Sequence, residues 1–219
     1  MFEEYLCETE FLDFKHPALN DFLIGQDWSL DRKDLLVSLY YKVRDGFIYD
    51  PYHLDLRKKA LKASQIVTHK RAWCVEKAVL LAALFRKHGF PTRLGYAIVT
   101  NHIGTEKLTS YLQREEIVFH GYVEVYFEER WIKCTPAFDR RICRLSGVSP
   151  LDWDGETDSL FQEFEGGKRF MEYVHFYGHF SDVPIDLMNQ EMKKYYPHLF
   201  GAEYDSPEFS FKHLWTKSN

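Results

Sequence analysis

The sequence lacks the features that mark the commonest binding classes. Its 219 residues carry a formal net charge of -5, whereas a nucleic-acid-binding face needs a concentration of basic residues. No glycine-rich phosphate loop is present, so the usual motif for nucleotide binding is missing. We therefore expect neither a nucleic-acid partner nor a nucleotide cofactor.

Long apolar runs and an export signal are also missing. The longest apolar stretch covers residues 78–85, and a transmembrane helix needs about 20 such residues. No basic stretch leads into an apolar run after Met1, as it would in a signal peptide. The sequence therefore predicts a cytoplasmic protein that does not bind membranes.

Cysteine is scarce and lacks the spacing of a metal site. Cys7, Cys74, Cys134 and Cys143 are scattered along the chain, and we expect reduced thiols in the cytoplasm. The remaining metal candidate is the pair His175 and His179, whose spacing suits two zinc ligands on a helix. The pair lacks the adjacent glutamate of a metalloprotease, so a metal-dependent hydrolase is a minor alternative and we expect no metal or organic cofactor.

Hydrophobic periodicity predicts helices first and antiparallel strands later, which is typical of an α+β fold. We expect a single domain over residues 1–219, with a core at about 30–145 and a C-terminal extension at 146–219. The predicted helices cover 31–44, 56–65 and 73–88, and the predicted strands cover 93–100, 119–127 and 131–135.

The most informative element is the helix predicted over residues 73–88. Its middle is apolar on every side, which indicates a buried helix, and Cys74 stands at its start. The helix dipole favours a thiolate at that end, and the free N–H groups of the first turn could form an oxyanion hole. The alternative is that Cys74 is simply a small buried residue.

A candidate base and a candidate orienting group come from the strands. His120 opens the strand at 119–127, and a thiol needs its base near only in space. With a two-residue turn at 128–129, His120 lies opposite Ala137, and Thr135 and Asp139 lie on the diagonals within side-chain reach. A carboxylate stabilises an imidazolium, so Asp139 is the better third group. Its alternative role is that of a turn residue.

Three segments together resemble a known family. Residues 72–81, Ala-Trp-Cys-Val-Glu-Lys-Ala-Val-Leu-Leu, resemble the Cys-helix segment of bacterial transglutaminase-like proteins. Residues 90–93 resemble the stretch that follows it there. The run His-Gly-Tyr-Val-Glu-Val-Tyr at 120–126, followed by Trp131, is similar to the family's hairpin. The resemblance covers roughly residues 35–140.

The resemblance implies a papain/transglutaminase-like α+β core, in which a buried Cys-bearing helix packs on an antiparallel β-sheet. It also implies a Cys-His-Asp site and maps Cys74 to the nucleophile and His120 to the base. Many members carry the aspartate four residues after the hairpin tryptophan, where this sequence has Thr135. Either Asp139 takes that role or the site is a Cys-His dyad.

The predicted function is cysteine-dependent acyl transfer on amide or peptide substrates through a thioester. The enzyme would be a peptidase, an amidase or a transglutaminase-like acyltransferase, with a protein or peptide as the expected substrate. The alternative is a catalytically inactive transglutaminase-like module that binds proteins or peptides.

Overall fold

A four-stranded antiparallel sheet forms the centre of the fold. The computed structural model describes residues 2–52, 54–101, 106–160 and 171–201. Its main sheet has the strand order β5-β4-β3-β6, and a second sheet pairs β1 with β2 in parallel. The strands are β1 (Ile48–Tyr49), β2 (Arg71–Ala72), β3 (Thr92–Asn101), β4 (Glu116–Phe127), β5 (Arg130–Cys134) and β6 (Met171–Phe180).

Helices precede, interrupt and follow the strands, and α4 packs against β3 and β4. Over the described ranges, none of them is long and apolar enough to cross a membrane. The α-helices are α1 (Pro17–Phe22), α2 (Arg32–Gly46), α3 (Ala63–Ile66), α4 (Cys74–Lys87), α5 (Glu106–Leu112), α6 (Arg140–Leu145) and α7 (Ile185–Tyr195).

The two long predicted helices are confirmed. In α2 the Asp31 carboxylate accepts the Asp34 N–H at 2.8 Å, which caps the helix start. In α4 every residue from Cys74 to Arg86 is buried, as the all-round apolar pattern predicted. The Glu76 carboxylate accepts the Trp73 N–H at 3.0 Å and so secures the first turn of α4.

The helix predicted over residues 56–65 is wrong for most of its length, because only Ala63–Ile66 is helical. At its expected start the Asp55 carboxylate accepts the Arg57 N–H at 3.0 Å, a local turn that competes with a helix. Leu54, Leu56 and Leu61 are all buried, and their spacing does not fit one helical face. Tertiary packing therefore determines the conformation of this segment.

The β4–β5 hairpin follows the predicted register. Glu124 lies opposite Lys133, and Glu128 and Glu129 form the two-residue turn. Both turn residues have positive φ, 48° and 64°, as a type I′ turn requires even though glutamate is a poor residue for it. The Glu124 carboxylate forms its ion pair with Arg93 on β3, at 2.6 Å.

The edge strand β6 was not predicted as a strand. Its pairing with β3 contains two bulges, and a bulge breaks the alternation by which a strand is recognised. His175 and His179 lie on this strand, so they do not form the helical pair that their spacing suggested. Gly178 between them has φ of 101°, a conformation that glycine adopts at little cost.

Residues after 150 fold back onto the helix α2. The buried Arg44 donates to the Leu151 carbonyl and to the Asp152 carboxylate, each at 2.8 Å. The Tyr40 hydroxyl contacts the Leu151 carbonyl at 2.8 Å and the Thr135 carbonyl at 3.0 Å. The start of the C-terminal extension is thereby tied to the predicted core.

Candidate active site

Cys74 is the first residue of α4 and lies against the strand β4. Its exposed fraction is 1%, and the backbone of Gly121 on β4 lies beside its thiol, where it favours the thiolate form. A Cβ atom on Gly121 would lie only 3.0 Å from the Val75 Cα and 3.3 Å from the Cys74 carbonyl oxygen. The absent side chain of Gly121 therefore lets the strand pack closely against the backbone at the start of α4.

The Cys74 thiol is protonated in this environment. Burial raises its pKa to about 11, although the N–H groups of Gly121, Val75 and Cys74 itself oppose that rise. The sequence led us to expect that the helix start favours the thiolate, and the N–H groups there do act in that direction, but burial outweighs them. Desolvation of a charged sulfur outweighs the dipole at a fully buried position.

His120 lies on β4, next to Gly121 and opposite Ala97 of β3. Its side chain is fully buried, and this burial lowers the imidazole pKa to about 4. The preceding residue, Phe119, has φ of 60° at an irregularity in the β3–β4 register. A left-handed conformation is rare for a bulky residue, and such a bulge re-aims the neighbouring side chain.

Besides the edge-on ring of Tyr173, Thr135 is the residue that contacts the imidazole in the described structure. Its hydroxyl oxygen lies 3.4 Å from His120 Nε2 and donates to the Gly121 carbonyl at 3.3 Å. We assign the single hydroxyl proton to that carbonyl, which leaves the oxygen to accept from Nε2–H. This tautomer leaves Nδ1 unprotonated, and Nδ1 is buried without a hydrogen-bond partner in the described part of the chain.

Asp139 lies elsewhere in the hydrogen-bond network. One of its carboxylate oxygens caps α6 by accepting the Arg141 N–H at 2.8 Å, and the other accepts the Tyr49 N–H at 2.7 Å. Of the two His120 nitrogens, Nε2 contacts Thr135 and Nδ1 has no partner among the described residues. Asp139 therefore does not hydrogen-bond to the imidazole in this structure. Its link to the site runs through Tyr49.

A small pocket adjoins the thiol. Its free volume of about 20 Å³ suffices for about one water molecule. Trp73 and Cys74 form one wall. The remaining lining residues come from β1 and the loop after it, from α5, from β4 and from α7 with the residue that follows it: Tyr49, Pro51, Leu54, Leu108, Leu112, Ile117, Val118, Met192 and Tyr196.

Comparison with known proteins places the motif residues in one family. A family profile described as the transglutaminase-like superfamily matches residues 25–136, just over half of the chain. The chain belongs to the transglutaminase-like superfamily. The match includes Cys74, His120 and Thr135 and ends before Asp139. It confirms the family that the sequence motifs indicated.

A solved structure named "Putative Cysteine Protease from Cytophaga hutchinsonii" is similar to 60% of the length of this transglutaminase-like chain. The identity is 18% and the TM-score is 0.44. The similar region makes up 40% of that protein, so this chain spans less than half of its length. No curated protein matches the chain.

Three site features of this transglutaminase-like chain escaped the sequence analysis. Trp73 and Tyr49 line the pocket, and the helix α7 closes it from outside the family match. The Asp139 cap was recognisable, because an aspartate before Arg140 is a typical N-cap signal. Within the described ranges no three His, Cys, Asp or Glu side chains lie close enough together to hold a metal ion.

Alkylation should distinguish the buried thiol from the exposed one. At pH 8 we expect iodoacetamide to modify Cys7, which is exposed, and to spare Cys74. A thiol with a pKa near 11 is about one-thousandth thiolate at that pH, against about a quarter for a free thiol. Mass-spectrometric mapping of the alkylated sites against pH checks this.

Cys7 is the internal control for that measurement, and raising the pH towards 11 should bring Cys74 into reaction. Equal labelling of Cys74 and Cys7 at pH 7 would contradict the structure. It would mean that the thiol and the imidazole form an ion pair.

Proposed function

We propose that this chain is a cysteine-dependent acyltransferase or hydrolase that acts on amide or peptide substrates. The observation that carries the proposal is the close packing of β4 on the start of α4, where Gly121 lies against the backbone of Cys74 and Val75. The residue before Gly121 is His120, whose tautomer leaves Nδ1 as a free proton acceptor. The nucleophile and the backbone N–H donors thus share one contact, and because no hydrogen bond joins the thiol to Nδ1 in the described structure, substrate binding must bring the base to the thiol.

In the proposed reaction the proton of Cys74 passes to His120 as the sulfur bonds to the substrate carbonyl carbon. The carbon–nitrogen bond then breaks, and His120 gives that proton to the departing amine, which leaves a thioester. Water or a second amine attacks the thioester and gives a proton to His120. The carbon–sulfur bond breaks, and the proton returns to Cys74.

The resting groups are a neutral thiol and a neutral imidazole, because burial raises the pKa of Cys74 and lowers that of His120. The base therefore acts during attack on the substrate and does not hold a preformed ion pair. Thr135 serves as the positioning residue for the imidazole. Asp139, predicted as the third group, acts in this proposal by holding Tyr49 at the pocket wall.

The second candidate function is a non-catalytic module that binds a protein or peptide. It is favoured by the exposed fraction of Cys74, 1%, and by the small free volume of the pocket. Catalysis requires the pocket to widen, whereas a binding module could use another face and leave Cys74 as a core residue.

Acyl transfer to Cys74 tests the proposal directly. The Cys7→Ser protein is incubated with p-nitrophenyl hexanoate, and the modified residue is mapped by mass spectrometry. We expect a hydroxylamine-labile acyl group on Cys74, released again by water or an added amine, and none in Cys7→Ser/Cys74→Ala. If Cys74 stays unmodified while that control protein reacts equally, the chemistry belongs to other nucleophiles and the binding module is preferred.

A further inference from the structure

The pocket beside Cys74 has an unusual chemical lining for a site that takes amides. None of its lining side chains carries a charge. Its apolar walls come from Leu54, Leu108, Leu112 and Met192. The hydroxyl of Tyr196 is already used, because it accepts the Val118 N–H and donates to the Glu116 carbonyl, each at 2.8 Å.

Among the residues that line the pocket, Trp73 carries a buried polar group that lacks a partner. The indole of Trp73 is 3% exposed, and its Nε1–H has no hydrogen-bond partner in the described structure. A buried donor without an acceptor costs about 1–3 kcal/mol. Trp73 directly precedes the nucleophile and lines the same pocket, which makes its unpaired N–H a candidate donor to a carbonyl bound at Cys74.

We infer that this pocket binds the acyl part of the substrate as an uncharged hydrocarbon chain, with Trp73 Nε1–H donating to the acyl carbonyl oxygen. The inference rests on the proposed function and names the substrate class of the same site. A carboxylate at the end of the chain would be desolvated without a cation, and a carboxamide would leave donors unpaired. The site therefore selects against glutamine-like and glutamate-like acyl groups.

Met192 is the lining residue that adapts to the bound hydrocarbon chain. A free volume of about 20 Å³ does not hold a hydrocarbon chain, so side chains must move on binding. Methionine has three rotatable bonds and fills irregular gaps readily, and Met192 lies on α7, outside the family match. The C-terminal extension thereby sets the acyl preference of the shared core.

Three activated donors test the inference in the Cys7→Ser protein. They are the p-nitrophenyl esters of hexanoic, adipamic and adipic acids, whose common methylene chain ends in methyl, carboxamide and carboxylate. We expect hexanoyl transfer to Cys74 to be about tenfold or more faster than adipamoyl transfer and faster still than adipoyl transfer. Each rate is corrected for the Cys74→Ala background.

The two failures are distinct. If no ester acylates Cys74, the proposed function fails. If all three acylate Cys74 at similar rates, the proposed function stands and the apolar-chain inference is overturned. A faster adipamoyl transfer would overturn it as well.

Paired variants on α7 sharpen the test. Met192→Gln places a carboxamide in the pocket wall and should shift the hexanoyl-to-adipamoyl ratio towards adipamoyl by several-fold. Met188→Gln makes the same change at a buried position of the same helix that does not line the pocket, and should leave the ratio unchanged. An equal ratio in both variants would remove Met192 from the site.

Trp73→Phe separates the two parts of the inference. The phenyl ring keeps much of the apolar wall and removes the N–H donor. We expect all three acylation rates to fall together by about tenfold, with the ratio between donors preserved. Unchanged rates would show that Trp73 does not contact the carbonyl oxygen.

Discussion

Replacing His120 with glutamine should lower the rate of Cys74 acylation by about 10²- to 10⁴-fold, the range that a positioned base contributes. Glutamine approximates the size of imidazole but cannot take a proton from a thiol. Because the pKa of Cys74 is raised to about 11, very little thiolate is available to react without the base. Single-turnover acylation of the Cys7→Ser protein and its His120→Gln derivative measures this.

The pH profile identifies the group that is lost. His120 is neutral above its lowered pKa of about 4, so the wild-type rate should hold down to about pH 4 and fall below it as the imidazole is protonated. His120→Gln should lack that acid limb. A limb near pH 6.5 would instead mean that solvent reaches the imidazole when substrate binds.

Variants at the two candidate orienting residues separate positioning from stability. Thr135→Val removes the hydroxyl that accepts from Nε2–H and should slow acylation with little change in the melting temperature, and Thr135→Ser should restore the rate. Asp139→Asn weakens the cap of α6 and the Tyr49 contact, so its first effect should be on stability. A normal melting temperature with a lost acid limb in Asp139→Asn would return Asp139 to the catalytic group.

Replacing Arg44 with alanine should lower the free energy of unfolding by about 2–5 kcal/mol, because it removes a large, fully buried side chain together with its hydrogen bonds. The guanidinium is fully buried and bonds to Asp45, Asp152 and the Leu151 carbonyl. Its removal leaves that carbonyl without this donor and opens a cavity beside α2. Urea denaturation followed by circular dichroism gives the change.

Arg140 provides the matched control, because it pairs with the same Asp45 at 3.4 Å while 62% of its side chain is exposed. Arg140→Ala should cost less than about 1 kcal/mol, as exposed ion pairs do. Equal losses in the two variants would show that burial of Arg44 adds nothing to the pair.

Local patterns predicted the parts of the fold that local forces decide. The helices α2 and α4 follow from apolar spacing and caps, and the β4–β5 register follows from alternation on both sides of a two-residue turn. The helix predicted over residues 56–65 was too long and the strand β6 was missed, because burial of scattered leucines decides the first segment and two bulges interrupt the second. Neither the scattered leucines nor the bulges produce a regular hydrophobic period in the sequence.

The same division applies to the site. Cys74 and His120 were recognisable as candidates from their places in the elements, and Thr135 was one of two candidates for the imidazole contact. The protonation states were not predictable, since they depend on how far burial outweighs the helix dipole at one atom. The contribution of α7 to the pocket was also not predictable, because its residues lie far from Cys74 in the sequence.

The bonds that Tyr40 and Arg44 make to Leu151 also bear on the order in which the chain folds. They join positions more than one hundred residues apart, and contacts of such sequence separation form late. During synthesis these bonds cannot form until residue 151 has left the ribosome. Until then Tyr40 and Arg44 of the nascent chain lack these partners, so this is the stage at which chaperone binding would protect the incomplete fold.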